Sequence, residues 1–235
     1  MAKNKDTKSA EVLEQPIVES KKKESGFNTE NFLRKNQVIL VYLVGGLFLV
    51  IAGYFGYKYY GNMGNDEAQK EMFIAVDYFE ADSLDKALNG DKVNRGLLDI
   101  ADEYSGTDAG KLANFYIGVA YMKKGKFEDA ISYLEKFNPG DLLIQARTYS
   151  LIGDSYLELK DYDNAIKFYE KASVYEANEY FTPRYLLKLG TAYEANKDYK
   201  GAAQAYDKIV TEFYKSAEFN DARKYKARAE ELAKN

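Results

Sequence analysis

The sequence predicts an all-α protein: one N-terminal transmembrane helix followed by an α-solenoid of stacked helix pairs. Two observations predict it. Between Lys35 and Lys58 runs an uncharged stretch, NQVILVYLVGGLFLVIAGYFGY. Further along, GKFEDAISYLEKF at 125–137 returns as KDYDNAIKFYEKA at 160–172 and again as KDYKGAAQAYDKI at 197–209. A chain that repeats itself at a near-constant period is built of like units, each hiding its apolar face against its neighbours.

The uncharged stretch, taken as a helix, is roughly 33 Å long, against a hydrocarbon core of about 30 Å. Tyr54, Tyr57, Tyr59 and Tyr60 gather at its far end, where amphipathic rings favour a membrane interface. A cleaved signal peptide has a shorter apolar region followed by small residues. Here the residues that follow are bulky (YFGYKYYGN) and a long polar tail precedes, so an uncleaved anchor fits better. The tail carries Lys3, Lys5, Lys8, Lys21, Lys22, Lys23, Arg34 and Lys35, whereas positions 58–77 carry only Lys58 and Lys70. By the positive-inside rule the N-terminus is cytoplasmic and the rest of the chain lies outside. For a cell with two membranes, this means a single-pass inner-membrane protein with a periplasmic domain. Residues 1–35, rich in Lys, Glu and Ser, read as a disordered tail. Residues 36–60 read as the membrane span and GNMGND at 61–66 as a short hinge.

The repeated phrases each close a longer unit. Gly118, Gly153 and Gly190 keep step with the phrases, as do Tyr121, Tyr156 and Tyr193. Phe127, Tyr162 and Tyr199 follow the same spacing, and so do Ala130, Ala165 and Ala202. Each unit reads as two helices joined by a tight polar turn. In the middle unit, Tyr149, Ile152, Gly153 and Tyr156 fall on one face of the first helix, and Ala165, Phe168, Tyr169 and Ala172 on one face of the second. Glycine in the first helix lets the partner helix approach, so the small Ala165 is expected to meet the small Gly153.

This pattern resembles the tetratricopeptide repeat, with Gly118, Tyr121, Ala130 and Leu134 in the first unit. Gly153, Tyr156, Ala165 and Tyr169 answer to them in the second, and Gly190, Tyr193, Ala202 and Tyr206 in the third. The family's usual aromatic near the start of the first helix is replaced by Asn114 in one unit and Leu186 in another. An extra stretch, VYEANEYFTP, separates the second and third units and leaves Tyr175, Tyr180 and Phe181 without an assigned role. Residues 111–210 thus hold three repeats. Before them, 61–110 read as a linker and degenerate leading unit, with stripes at Ala68, Met72, Ala75, Val76 and Phe79 and at Leu97, Ile100, Ala101 and Tyr104. Between those stripes SLDKALNGDKVN reads as an ordered loop. Residues 211–235 read as a charged capping helix.

Absences narrow the chemistry. The chain has no Cys, no His and no Trp, and its net charge of −4 is spread without a basic stripe. It therefore offers no N/S zinc site, no thiol nucleophile, no Ser-His pair and no Cys to carry a lipoprotein's lipid. Nucleic-acid binding is not expected, because that needs clustered cations. The acidic pairs Glu128-Asp129 and Asp161 with Asp163 lie in inter-helix turns, where acids favour the following helix N-terminus rather than acid–base work. Gly106, Gly110 and Gly118 lack the strand a phosphate loop requires. No catalytic, cofactor or metal residue is predicted, and the chain is read as a non-enzyme.

The tetratricopeptide resemblance implies a superhelix whose first helices line a concave groove. That groove would present Phe115, Val119, Met122, Arg147, Asp154, Glu158, Arg184, Leu187, Thr191 and Glu194, apolar at its N-terminal end and charged in its middle. A clamp for C-terminal carboxylates needs Lys and Asn where Phe115 and Val119 stand, so that use is not expected. An N-terminal anchor followed by such repeats is similar to the YfgM-type proteins, and LLDIADEYSGTDAGKLANFYIGVAYMKKGKFEDAISYLEKF and DSLDKALNGD resemble Bacteroidota versions of that family. The resemblance implies an ancillary role at a SecYEG-type translocon, with a PpiD-like periplasmic isomerase-type chaperone and unfolded, emerging polypeptides as partners. The alternative is a scaffold subunit of another envelope-assembly or secretion complex. A third reading is an envelope enzyme or regulator with an unrecognised site.

Overall fold

The computed structural model describes residues 34–137 and 142–234. The expected disordered tail lies almost wholly outside these residues. Ten helices and no strand are present among them: α1 (Gln37–Glu80), α2 (Leu84–Asn89), α3 (Leu97–Glu103), α4 (Asp108–Lys123) and α5 (Phe127–Lys136). They continue as α6 (Leu142–Glu158), α7 (Tyr162–Val174), α8 (Thr182–Ala195), α9 (Tyr199–Glu212) and α10 (Phe219–Leu232). The chain divides into a unit ending at Gly53 and a unit beginning at Tyr54.

The N-terminal unit is helical, and its side chains face outward all round: Val38, Leu43, Leu47, Phe48 and Leu49 are each at least 60% exposed. Gln37–Gly56 has a mean hydropathy of 2.5 with none of it buried. An apolar helix with no polar face does not have the pattern of a surface helix on a water-soluble core.

In the second unit, α1 buries Ala68, and buries Met72 and Ala75 in a cluster with Leu88, Leu97, Ile100 and Ile117. The expected hinge at 61–66 is helical instead. A tertiary contact works against the roughly 1 kcal/mol that each glycine costs a helix. The Asn65 side chain accepts a hydrogen bond from Ala109 N at 2.9 Å, which caps the start of α4. The loop after α2 is ordered by Asp91, which accepts from Val93 N and Asn94 N, both at 2.7 Å, and from the Tyr78 hydroxyl at 2.6 Å. Those donors hold its carboxyl well below the usual carboxylate range.

From α4 onward each helix packs on the next, and the first helices α4 and α6 also touch. The repeated glycines explain the pairing, though not through Ala165. A Cβ on Gly153 would come within 2.8 Å of the Tyr169 ring, one on Gly190 within 2.3 Å of the Tyr206 ring, and one on Gly118 within 2.5 Å of Leu134. Each first helix therefore opens a hole that a large side chain of the second helix fills. Tyr169 and Tyr206, 1% and 0% exposed, are the largest fully buried side chains.

The hairpin turns differ in chemistry. Gly125, Lys160 and Lys197 occupy the left-handed region, with φ of 70°, 60° and 61°. The Asp161 and Asp198 side chains then cap α7 and α9 by accepting from Asn164 N and Gly201 N, while Lys126 provides no cap to α5. The extra stretch between α7 and α8 is anchored by Tyr175, whose ring meets Tyr149 edge-on at 5.7 Å, and leaves Tyr180 84% exposed. The charged cap is α10, which buries Ala222 and Ala229 against α8 and α9.

Candidate functional site

Helices α6 and α8 bring two polar rows side by side. Arg147, Ser150, Leu151 and Asp154 recur at three- and four-residue steps on α6, and Arg184, Lys188 and Thr191 do so on α8. Between the rows lies a cavity of about 420 Å³. Its apolar lining is Ile144, Leu151, Phe181 and Tyr185, and its charged lining is Arg147, Arg184 and Lys188.

The charges here are not equivalent. The Lys188 ammonium donates to both Asp154 oxygens, at 2.8 and 2.6 Å, and reaches Ser150 Oγ at 3.3 Å. The Tyr169 hydroxyl donates to Asp154 at 2.6 Å. Burial first, then the Asp154 charge, pushes the Tyr169 hydroxyl's pKa far up, so it remains a donor at every physiological pH. Asp154 is thus fully engaged. Arg147 lies with its guanidinium 5.9 Å from the Phe115 ring centroid and forms no ion pair among the described residues. Arg184 forms a long ion pair with Glu218 at 3.8 Å, beyond hydrogen-bond reach. Two arginines with free donors and an apolar floor can hold a carboxylate beside an apolar side chain.

A family profile described as tetratricopeptide repeat matches residues 150–220, and a second of the same description matches residues 112–138. The chain carries tetratricopeptide repeats. Two crystal structures of Podosopora anserina putative kinesin light chain nearly identical TPR-like repeats are similar, one of them a point-substituted form, each with a TM-score of 0.55. The substituted form is 14% identical over 72% of this chain and 87% of that one; its counterpart is 13% identical over 72% and 88%. A crystal structure of MamA protein aligns at a TM-score of 0.48, with 20% identity over 71% of this chain and 86% of the other. No curated protein sequence matches. The profile matches and the two kinesin light chain likenesses establish the fold as a TPR-like α-solenoid, which is a scaffold for protein–protein interaction.

Within the repeats, the ten predicted groove positions separate into three kinds. Arg147 and Arg184 line the cavity together. Phe115, Met122 and Leu187 are half-buried against neighbouring apolar clusters, with Phe115 tilted on Phe137 at 5.3 Å; Val119 is also half-buried. The other four are polar: Asp154 is bound by Lys188 and Tyr169, and Thr191 donates to its own helix at Leu187 O, 3.1 Å away. Glu194 is ion-paired to Arg228 of the capping helix, and Glu158 is exposed and does not line the cavity. The C-terminal cap therefore takes up a charge the sequence assigns to the groove. Missed in the sequence were Lys188, Ser150, Leu151 and Tyr185. Lys188 stands four residues after Arg184, so helical spacing alone could have added it.

Proposed function

We propose that this protein is a membrane-anchored interaction scaffold whose repeat domain binds partners outside the cytoplasm. The observation that carries the reading is the fully exposed apolar segment Gln37–Gly56 on the same chain as a repeat domain built for binding. A bilayer is the solvent that suits such a segment, and the lysine bias across it favours a cytoplasmic N-terminus and a periplasmic domain. Anchoring raises the effective concentration of a weak binding surface beside a membrane complex. The likeness to YfgM-type proteins makes that complex a SecYEG-type translocon, with a PpiD-like chaperone and emerging polypeptides as the bound species. The ten groove positions and the cavity between α6 and α8 are the proposed contact surface, with Arg147 and Arg184 as its cations with unused hydrogen-bond donors.

The test is co-purification of the tagged full-length protein from native membranes in mild detergent, followed by mass spectrometry, beside an Arg147→Glu/Arg184→Glu form. Translocon subunits and an isomerase-type chaperone should co-purify, with the chaperone depleted in the double variant. Recovery of outer-membrane assembly or secretion components in their place would replace the translocon reading with that of another envelope scaffold.

A further inference from the structure

The other side of the repeat stack carries a second cavity, and its chemistry differs from the first. Leu186, Leu189 and Tyr193 lie on the face of α8 opposite Arg184 and Lys188. They floor a trough of about 620 Å³ whose walls are the second helices α7 and α9. Lys167 and Lys171, one turn apart, stand on the α7 wall, and Lys208 stands on the α9 wall. Val174, 65% exposed, extends the apolar surface at the rim.

The lysines give this trough its charge. Some lysines elsewhere find acids, Lys123 with Asp82, Lys188 with Asp154 and Lys226 with Asp207, and others, such as Lys86 and Lys136, lie over tyrosine rings. Lys167, Lys171 and Lys208 form no ion pair among the described residues. Glu170 is the only acid on the lining, and it already accepts a hydrogen bond from the Tyr193 hydroxyl at 2.7 Å. That bond, after burial, raises the Tyr193 pKa to about 12. Lys171 lies over the Phe168 ring, 4.6 Å from its centroid, so Lys167 and Lys208 are the unengaged cations here, beside one engaged anion.

We propose that this trough is a second docking site, taken by an acidic amphipathic helix of a partner protein. Its apolar side chains would lie on Val174 and the Tyr193 ring, above the buried Leu186 and Leu189, and carboxylates on its two flanks would meet Lys167 and Lys171 on one side and Lys208 on the other. Two helices flanking a third offer a seat for a helix with apolar residues at three- and four-residue steps. Cations on both flanks select acidic over basic segments and make the association salt-sensitive. A bilayer surface fits less well, because the apolar floor is recessed between the two helices where a flat surface cannot reach. The site is independent of the first-helix face, so the chain could hold one partner on each side.

The experiment uses the full chain in mild detergent and a fluorescein-labelled helical peptide of about fifteen residues, with Leu at i, i+3, i+4 and i+7 and Glu flanking them. A twin peptide carries Lys in place of Glu. Anisotropy should show saturable binding of the acidic peptide that weakens tenfold or more in Lys171→Glu/Lys208→Glu. The basic twin should bind that variant better than it binds the parent. Lys208 touches no aromatic ring among the described residues, so Lys208→Glu alone keeps the test valid if the double variant unfolds; it should weaken the acidic peptide several-fold. Arg147→Glu, on the opposite face, should change nothing, which separates this site from the groove reading. Equal binding of both twins, no saturable binding, or loss confined to Arg147→Glu overturns the proposal. So does capture of phosphatidylglycerol vesicles through these lysines without capture of the peptide.

Discussion

In the second and third repeats a tyrosine ring fills the hole left by the first helix's glycine, whereas in the first repeat Leu134 fills it. Both arrangements bury a large side chain completely, but they constrain the fold differently. A leucine's small branched end can change rotamer to clear an intruding atom; a buried phenol ring, which swings as one large rigid plate, cannot without displacing the helix that carries it. The tyrosines also do something leucine cannot. Tyr169 sends its hydroxyl through the packing layer to Asp154 on the first-helix face, where Lys188 joins it. Core packing and surface chemistry are therefore linked in the second repeat and separate in the first.

The largest break in that comparison comes from filling the hole. Gly190→Ala, whose Cβ would meet ring carbons within 2.3 Å, should cost about 3 kcal/mol, and Gly153→Ala about 2 kcal/mol. Gly118→Ala should cost nearer to about 1 kcal/mol, since its closest neighbours belong to the Leu134 side chain, although Ala130 O at 3.2 Å limits how far that relief goes. Chemical denaturation of the three variants orders them. Equal costs would mean the ring adds no rigidity.

Removing only the link is the next step down. Tyr169→Phe keeps the ring against Gly153 and deletes the hydroxyl, so the expected loss is about 1 kcal/mol. In a double-mutant cycle with Asp154→Ala the two losses should be less than additive, because each removes the same Tyr169–Asp154 hydrogen bond. A fully additive cycle would separate the phenol from the carboxylate.

Much of this was legible in the sequence, and what was not has physical reasons. Regular spacing of Gly118, Gly153 and Gly190 reveals the repeat, because close helix packing at a fixed register demands a small residue there. That the glycine faces position 169 rather than 165 could not be read from the period, since both lie on the inner stripe of α7. The hinge expected at 61–66 rested on glycine's weak helix propensity, and Asn65's contact with α4 overrides it. Among the groove residues, the sequence supplies the first-helix positions but not their partners. Glu194 meets Arg228, thirty-four residues later in the chain, across a contact with the capping helix that no local pattern encodes.

The hairpin turns sharpen the comparison on a smaller scale. Asp161→Ala and Asp198→Ala should each cost about 1 kcal/mol by removing the cap of α7 or α9. Lys126→Asp should return about as much to α5, since Lys126 shares the backbone angles of the two capping aspartates. If Lys126→Asp gains nothing while the two deletions cost, the first repeat's turn is capped in some other way.

The smallest effect comes one residue earlier, and it tests whether the turn is a backbone matter alone. Gly125, Lys160 and Lys197 share one left-handed conformation, so the lysines carry a steric cost of about 1 kcal/mol that glycine avoids. Glycine in turn loses more chain entropy on folding, by roughly 0.5 kcal/mol. Lys160→Gly should therefore stabilise by about 0.5 kcal/mol, the difference of those two effects. Nothing lies within 4 Å of a Cβ built on Gly125, so Gly125→Ala should destabilise by the same amount with no packing contribution. Melting curves of the two variants should shift by equal and opposite amounts. A larger loss at Gly125 would show that the uncapped turn of the first repeat depends on its glycine more than the capped turns depend on their lysines, and the two devices would then be alternatives rather than additions.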